Sequence, residues 1–194
     1  RLSPSKLPAD HMYRENAEAP YSRARLLFAK QDTMCFMGHL DLVRVIPRML
    51  RRARIEMGFT RGFNPTPRMS FGPALPLGMA ALEEVVDLAI LLPDSTSDMA
   101  GMWTDELRAQ RGQQVLEKLR AVAPPGLVLV GLRLLSPGER KAGALVDAAD
   151  YVVALGPEQV SRLAQTLPEQ MGSEAMLVER PRKQKKQRKL LLFL

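Results

Sequence analysis

The chain has 194 residues, 46% hydrophobic and 25% charged, which supplies a core and excludes a disordered chain. Its single cysteine excludes an internal disulfide and any thiolate-rich zinc or iron–sulfur site built from this chain alone. A formal charge of +7 suits contact with polyanions, and equally a basic protein that is simply well solvated.

Residues 1–22 are rich in proline and polar side chains, show no apolar period, and read as a linker or tail. They lack an initiator methionine, as the downstream piece of a longer polypeptide would. No apolar run reaches the roughly 18 residues that span a bilayer, and no secretory pattern opens the chain, so a cytoplasmic location without membrane contact is expected.

From Arg23, RARLLFAK alternates basic and apolar residues, predicting a strand with one wet face. Asp32 and Thr33 carry turn chemistry, Met34 to Met37 are apolar, and Gly38 precedes a helix expected from Leu40 to Ala53. Leu42, Val43, Ile46, Met49 and Leu50 follow helical spacing there, with arginines over much of the remaining surface. Pro47 lies in the helix interior, where it removes one backbone hydrogen bond and favours a kink.

Ile55 to Thr60 predicts a short strand, Arg61 to Pro67 a Gly/Asn/Pro loop, and Arg68 to Phe71 a brief extension. Pro73 to Gly78 is irregular, and Glu84 to Leu92 reads as a core strand. After a turn at Asp94 to Asp98, Met99 to Val122 has helix formers and an apolar stripe at Leu107, Val115, Leu116 and Leu119. Pro124, Pro125 and Gly126 stop that helix before an apolar strand at Leu127 to Leu135.

The order strand, helix, strand, strand, helix, strand is the ferredoxin-like α+β arrangement, βαββαβ. A strand at Asp150 to Leu155, a helix at Pro157 to Leu167 and a strand at Ala175 to Glu179 repeat its opening, as an incomplete second half. The expected divisions are residues 1–22, a ferredoxin-like domain over 23–136, and a partial second half over 145–194. The basic run RPRKQKKQRK is either a solvated tail or hairpin, and the LLLFL after it either returns to a sheet or stands exposed at a truncation.

HLDL at the helix start, LRRA at its end, the GFNPTPR loop, the SF pair and the PALPLG run follow one another between Met37 and Met79. In that order and spacing they resemble the radical SAM-linked, or radical SAM-associated, domain, a bacterial domain family of unknown function. The resemblance extends through the Glu84 to Leu92 strand, the following helix and LVDAADY from Leu145 to Tyr151. It departs from the family at Pro47 and in the C-terminus, where members continue into more strand and helix.

The resemblance implies a domain beside, or fused C-terminally to, a radical SAM enzyme, often of a cobalamin-associated type. The iron–sulfur cluster and S-adenosylmethionine are then expected on that partner or upstream domain. The cluster's three-cysteine motif is absent from this chain.

Two regions carry candidate chemistry. His39 and Asp41 evoke acid–base work, but two residues apart at a helix entry they do not face each other, and capping is the better expectation. With His11 and Cys35 they make a poor ligand set, so no metal is expected.

Around GFTRGFNPTPR, Gly58, Gly62 and Asn64 tolerate positive φ and suggest a backbone anion nest. Arg61 and Arg68 flank it with phosphate-type donors, and Phe59, Phe63 and Phe71 offer stacking faces. Equally, the phenylalanines complete the core and the arginines are solvated or paired with Glu56, Glu83 or Glu84. Arg44, Arg48, Arg51 and Arg52 make one helical stripe that Arg23 and Arg25 extend, suited to a phosphate backbone or an acidic partner.

Three functions follow as expectations. The first is a noncatalytic accessory module of a radical SAM enzyme that binds RNA, tRNA or rRNA, through Arg44, Arg48, Arg51, Arg52, Arg61, Phe63, Asn64 and Arg68, and presents it for modification. The second is an adaptor docking on that enzyme by protein contacts, with an apolar patch around Ala74 to Met79. The third, resting on fold analogy with CRISPR repeat-processing endoribonucleases, is a metal-independent endoribonuclease using His39.

Overall fold

The strand predicted from Arg23 begins one residue earlier, and its alternation decides which way the sheet faces. In this computed structural model, which describes residues 21–61, 63–92, 103–171, 176–178 and 190–192, β1 runs Ser22–Lys30. Ala24, Leu26 and Phe28 are buried in the main hydrophobic core, while Arg23 and Arg25 lie on the opposite face. Chain contacts divide the molecule into Arg1–Ala148 and Ala149–Leu194.

After a 3₁₀ turn at Asp32–Phe36, helix α1 spans His39–Arg52 and buries Leu42, Ile46, Met49 and Leu50. Pro47 is accommodated inside it. The helix ends in paired bonds, Ile55 N–H to Leu50 O (2.9 Å) and Arg54 N–H to Arg51 O (3.0 Å). Arg54 takes the left-handed position at φ 56° that glycine usually fills. Ile55 and Leu50 are both buried, which supplies the apolar contact such endings use.

The expected strand over Ile55 to Thr60 is shorter, β2 at Glu56–Met57. β2 and β3 (Met69–Phe71) pair with the same edge of β4 (Ala81–Leu91), end to end. They are one edge strand interrupted by an excursion over residues 58–68. β4 starts three residues before the expected Glu84 because β1 pairs with it down to Ala81, through a register shift beyond Phe28.

Residues 93–102, which include the expected turn and the start of the expected second helix, lie outside the described residues. The described helix α2 spans Asp105–Arg120, with the Thr104 hydroxyl accepting from Leu107 N–H at its start. Gly112 lets α2 lie close to the sheet: a Cβ there would sit 2.9 Å from Leu132 O. Strand β5 (Leu127–Leu134) closes the sheet in the order β2-β4-β1-β5, all antiparallel, with β3 also on β4. This is the ferredoxin-like arrangement, and its core joins Leu26, Phe28, Val86, Leu88 and Ile90 to Ile46, Leu50, Val115 and Leu119.

Gly126 sets the entry to β5. Its φ is +82°, and a Cβ there would fall 2.6 Å from Gln31 O. Its own carbonyl accepts Gln31 N–H at 2.8 Å. Gly126→Ala is expected to destabilise the chain by about 2–4 kcal/mol, left-handed strain and backbone overlap together. A urea midpoint equal to that of the parent chain would refute this.

The segment after β5 stays with the first unit. Glu139 accepts from Ser136 N–H (2.6 Å) and Arg133 (3.2 Å), and the segment then crosses the sheet face opposite the helices. There Arg25 and Asp87, direct cross-strand partners, form a buried pair with Nε to Oδ1 at 2.7 Å and Nη2 to Oδ2 at 2.9 Å. Arg23 donates to Asp87 and to Glu139 O, Arg25 to Arg140 O, and Ala142 N–H to Asp87. Arg23 and Arg25, expected to extend a phosphate-binding surface, instead hold this strap.

In the second unit the expected strand at Asp150 to Leu155 is irregular, with Tyr151, Val152 and Val153 exposed. Helix α3 spans Pro157–Met171, and β6 (Met176–Val178) pairs antiparallel with β7 (Leu190–Leu192). The first three residues of LLLFL therefore do return to a strand, whereas the basic run before them lies outside the described residues.

Candidate nucleic-acid interface and polar cleft

Helical spacing puts Arg44, Arg48 and Arg51 within about 60° of arc, with Arg52 about 40° beyond it. All four are exposed. Like charges three and four residues apart cost a few tenths of a kcal/mol each in an isolated helix. The fold buries the other side of α1.

The excursion over residues 58–68 is braced at its base. Gly58 N–H donates to Ala89 O (2.9 Å), Ala89 N–H to Arg68 O (3.0 Å) and Arg68 N–H to Gly58 O (2.8 Å). Thr60 N–H donates to Thr66 O (2.9 Å), and Thr66 N–H returns to the Thr60 hydroxyl (3.0 Å). Phe59 and Phe71 pack against the core, whereas Phe63 at the tip is 99% exposed, beside exposed Arg61 and Asn64.

Arg68 is turned inward. Its guanidinium donates to Phe59 O (2.8 Å) and to the Tyr21 hydroxyl, and lies 4.8 Å from the Tyr21 ring centroid. Gly58 also differs from expectation. It is not left-handed, and a Cβ there would sit 3.0 Å from Ala89 Cβ, so close packing explains it. Asn64 is not left-handed either, and Gly62 lies outside the described residues, so the described loop offers arginine and phenylalanine rather than a nest.

At the other end of α1, Asp41 Oδ2 accepts Gly38 N–H at 3.0 Å, the capping role expected of it. His39 turns from Asp41 to Phe71, ring centroids 4.8 Å apart at 73°. It lines a small cleft with Lys30, Glu84, Leu42, Phe71 and the run over residues 72–75. Lys30 is 2% exposed, and its ammonium donates to Met37 O at 3.3 Å.

Burial pushes the Glu84 carboxyl above the usual carboxylate range, against the opposing pull of Lys30 and His39. Reading the sequence in segments missed this trio, because Lys30 ends one strand, Glu84 lies inside another and His39 opens a helix. The available signal was a charge at the end of each apolar run. Among the described residues, no group of three or more His, Cys, Asp or Glu side chains is placed to hold a metal ion.

A family model described as an uncharacterized protein conserved in bacteria (DUF2344) matches residues 23–191. The chain belongs to this family. The DUF2344 match begins within β1 and ends within β7, so it takes in both units. No curated protein and no solved structure gives a significant match. No helix among the described residues is long and apolar enough to cross a membrane.

Proposed function

We propose that this DUF2344 chain is a noncatalytic, cytoplasmic RNA-binding module, acting beside a radical SAM enzyme and presenting tRNA or rRNA to it. One observation carries the reading: a phenylalanine 99% exposed at the tip of a hydrogen-bonded excursion, entered only a few residues after a helix with four exposed arginines. An arginine stripe supplies sequence-independent phosphate contact, and an exposed ring on a stiff support supplies a stacking face.

The radical SAM partner enters through the resemblance of residues 37–79. The cluster does not fit this chain, whose one cysteine cannot provide its ligands. Cluster and S-adenosylmethionine therefore belong to the partner in this reading, and recognition to the chain.

The test is fluorescence anisotropy with bulk tRNA and with a single-stranded RNA at physiological salt. Phe63→Ala is expected to weaken single-strand binding by about 1–3 kcal/mol, the range for one stacked base. Its thermal stability should match the parent's, since the ring touches no core. Absence of RNA binding by the parent chain would overturn the proposal.

A second reading, docking on the enzyme through protein contacts, has an observation of its own. Phe36 (72% exposed), Leu40 (71%) and Leu77 (67%) stand out at the head of α1, where Gly78 N–H donates to Cys35 O. A complex with the enzyme that survives nuclease treatment favours this reading; one that dissolves favours RNA.

A further inference from the structure

We infer that the cleft at the head of α1 is a recognition site for the oxyanion end of a ligand, a carboxylate or phosphoryl group, held by Lys30 and His39. A buried ammonium is costly unless an anion or several hydrogen bonds answer it. Lys30 is almost wholly buried and has three N–H donors, of which one is engaged, over a long 3.3 Å to Met37 O. It forms no ion pair among the described residues.

Glu84 is the acid in the same lining; it makes no ion pair with Lys30, its burial works against its charged form, and it is the group an incoming anion must compete with. His39, beside Lys30 in the lining, brings a second hydrogen-bond donor. It also opens a helix of 14 residues, so its side chain enters the cleft from the helix's first turn. Asp41, the nearest acid on that helix, is occupied by Gly38 N–H. Leu42, Phe71 and Leu75 form apolar walls, and such surroundings strengthen a charge contact by excluding water.

Size narrows the ligand. The cleft has room for about one water-sized group. Only the oxygen end of a ligand enters, with the remainder at the mouth beside exposed Pro73 and Ala74. The site does not rest on the RNA reading, since the α1 arginines take no part in it.

The experiment uses proton NMR of the full chain, whose only histidines are His11 and His39. Sodium acetate and inorganic phosphate are titrated separately at ionic strength matched with sodium chloride. Either anion should shift the His39 imidazole resonances saturably, in the millimolar range, while His11 stays unsaturated. Saturation by acetate alone, phosphate alone or both supports the site and names its preferred group; saturation by neither overturns it.

Lys30→Met should abolish saturation. Glu84→Gln, which removes a competing acid without changing shape, should tighten binding by about tenfold, or 1.4 kcal/mol. Should Lys30→Met fail to fold, Glu84→Gln still decides: unchanged or weaker binding in that variant counts against an anion site.

Discussion

Replacing Asp87 with alanine should lower the unfolding free energy of the chain by about 3–5 kcal/mol, the range for removing one partner of a buried ion pair. The substitution strands Arg25, which is 6% exposed, and leaves Ala142 N–H without its acceptor on a buried face. Urea denaturation followed by circular dichroism gives the measurement. Asp87→Leu combined with Arg25→Met should cost less than Asp87→Ala alone, because no buried charge is left unanswered. A double variant as unstable as the single one, or more so, would show that the pair is not what holds the strap.

The same carboxylate gives a pH dependence of known sign. Burial pushes the Asp87 carboxyl up, but hydrogen bonds from Arg25 and Ala142 N–H and the charges of Arg25 and Arg23 outweigh it and hold the group below its usual range. A folded pKa below the unfolded one, about 3.9, means that the contribution is complete above that value. It is lost as pH falls through the folded pKa. Asp87→Asn should therefore flatten the acid limb of the stability curve, and an unchanged limb would count against the assignment.

Asp87 also shows where sequence reading stops. One aspartate inside EVVDLAILL marks a buried charge that needs a partner, yet nothing local says that the partner is Arg25. Arg25 alternates with apolar neighbours as a wet-face residue would, and only the β1–β4 register brings the two opposite each other. The helices were legible because apolar residues at helical spacing are a local signal, as at Leu42, Ile46, Met49 and Leu50. So was the Pro124 to Gly126 stop.

The broken edge strand was not legible. Met57 and Met69 join one ladder through Ala89, a non-local pairing that leaves no period in the sequence. The Asp150 to Leu155 stretch has strand-like residues but pairs with neither described sheet. Among site residues, the α1 arginines were legible from i, i+4 spacing. Arg68 was not, because its inward turn depends on Tyr21 and on the Phe59 carbonyl.

Reversing two of those arginines, Arg48→Glu with Arg51→Glu, should weaken RNA binding at physiological salt by about a hundredfold if the stripe meets the phosphate backbone. For single strands each contact contributes about 0.7 to the slope of log affinity against log salt. Between about 0.15 M and 1 M salt, that slope makes one contact worth roughly 0.6 log unit. Reversal replaces attraction by repulsion of similar size, so each site loses roughly 1.2 log units and the pair roughly 2.4, a hundredfold or more. The salt slope should fall by about 1.4 or more. Both side chains are exposed and lie opposite the residues that α1 buries, so the variant should still fold and unfold cooperatively in urea. A variant that keeps parental affinity and salt slope would remove α1 from the RNA interface and leave the apolar cluster at its head as the better account of what this domain recognises.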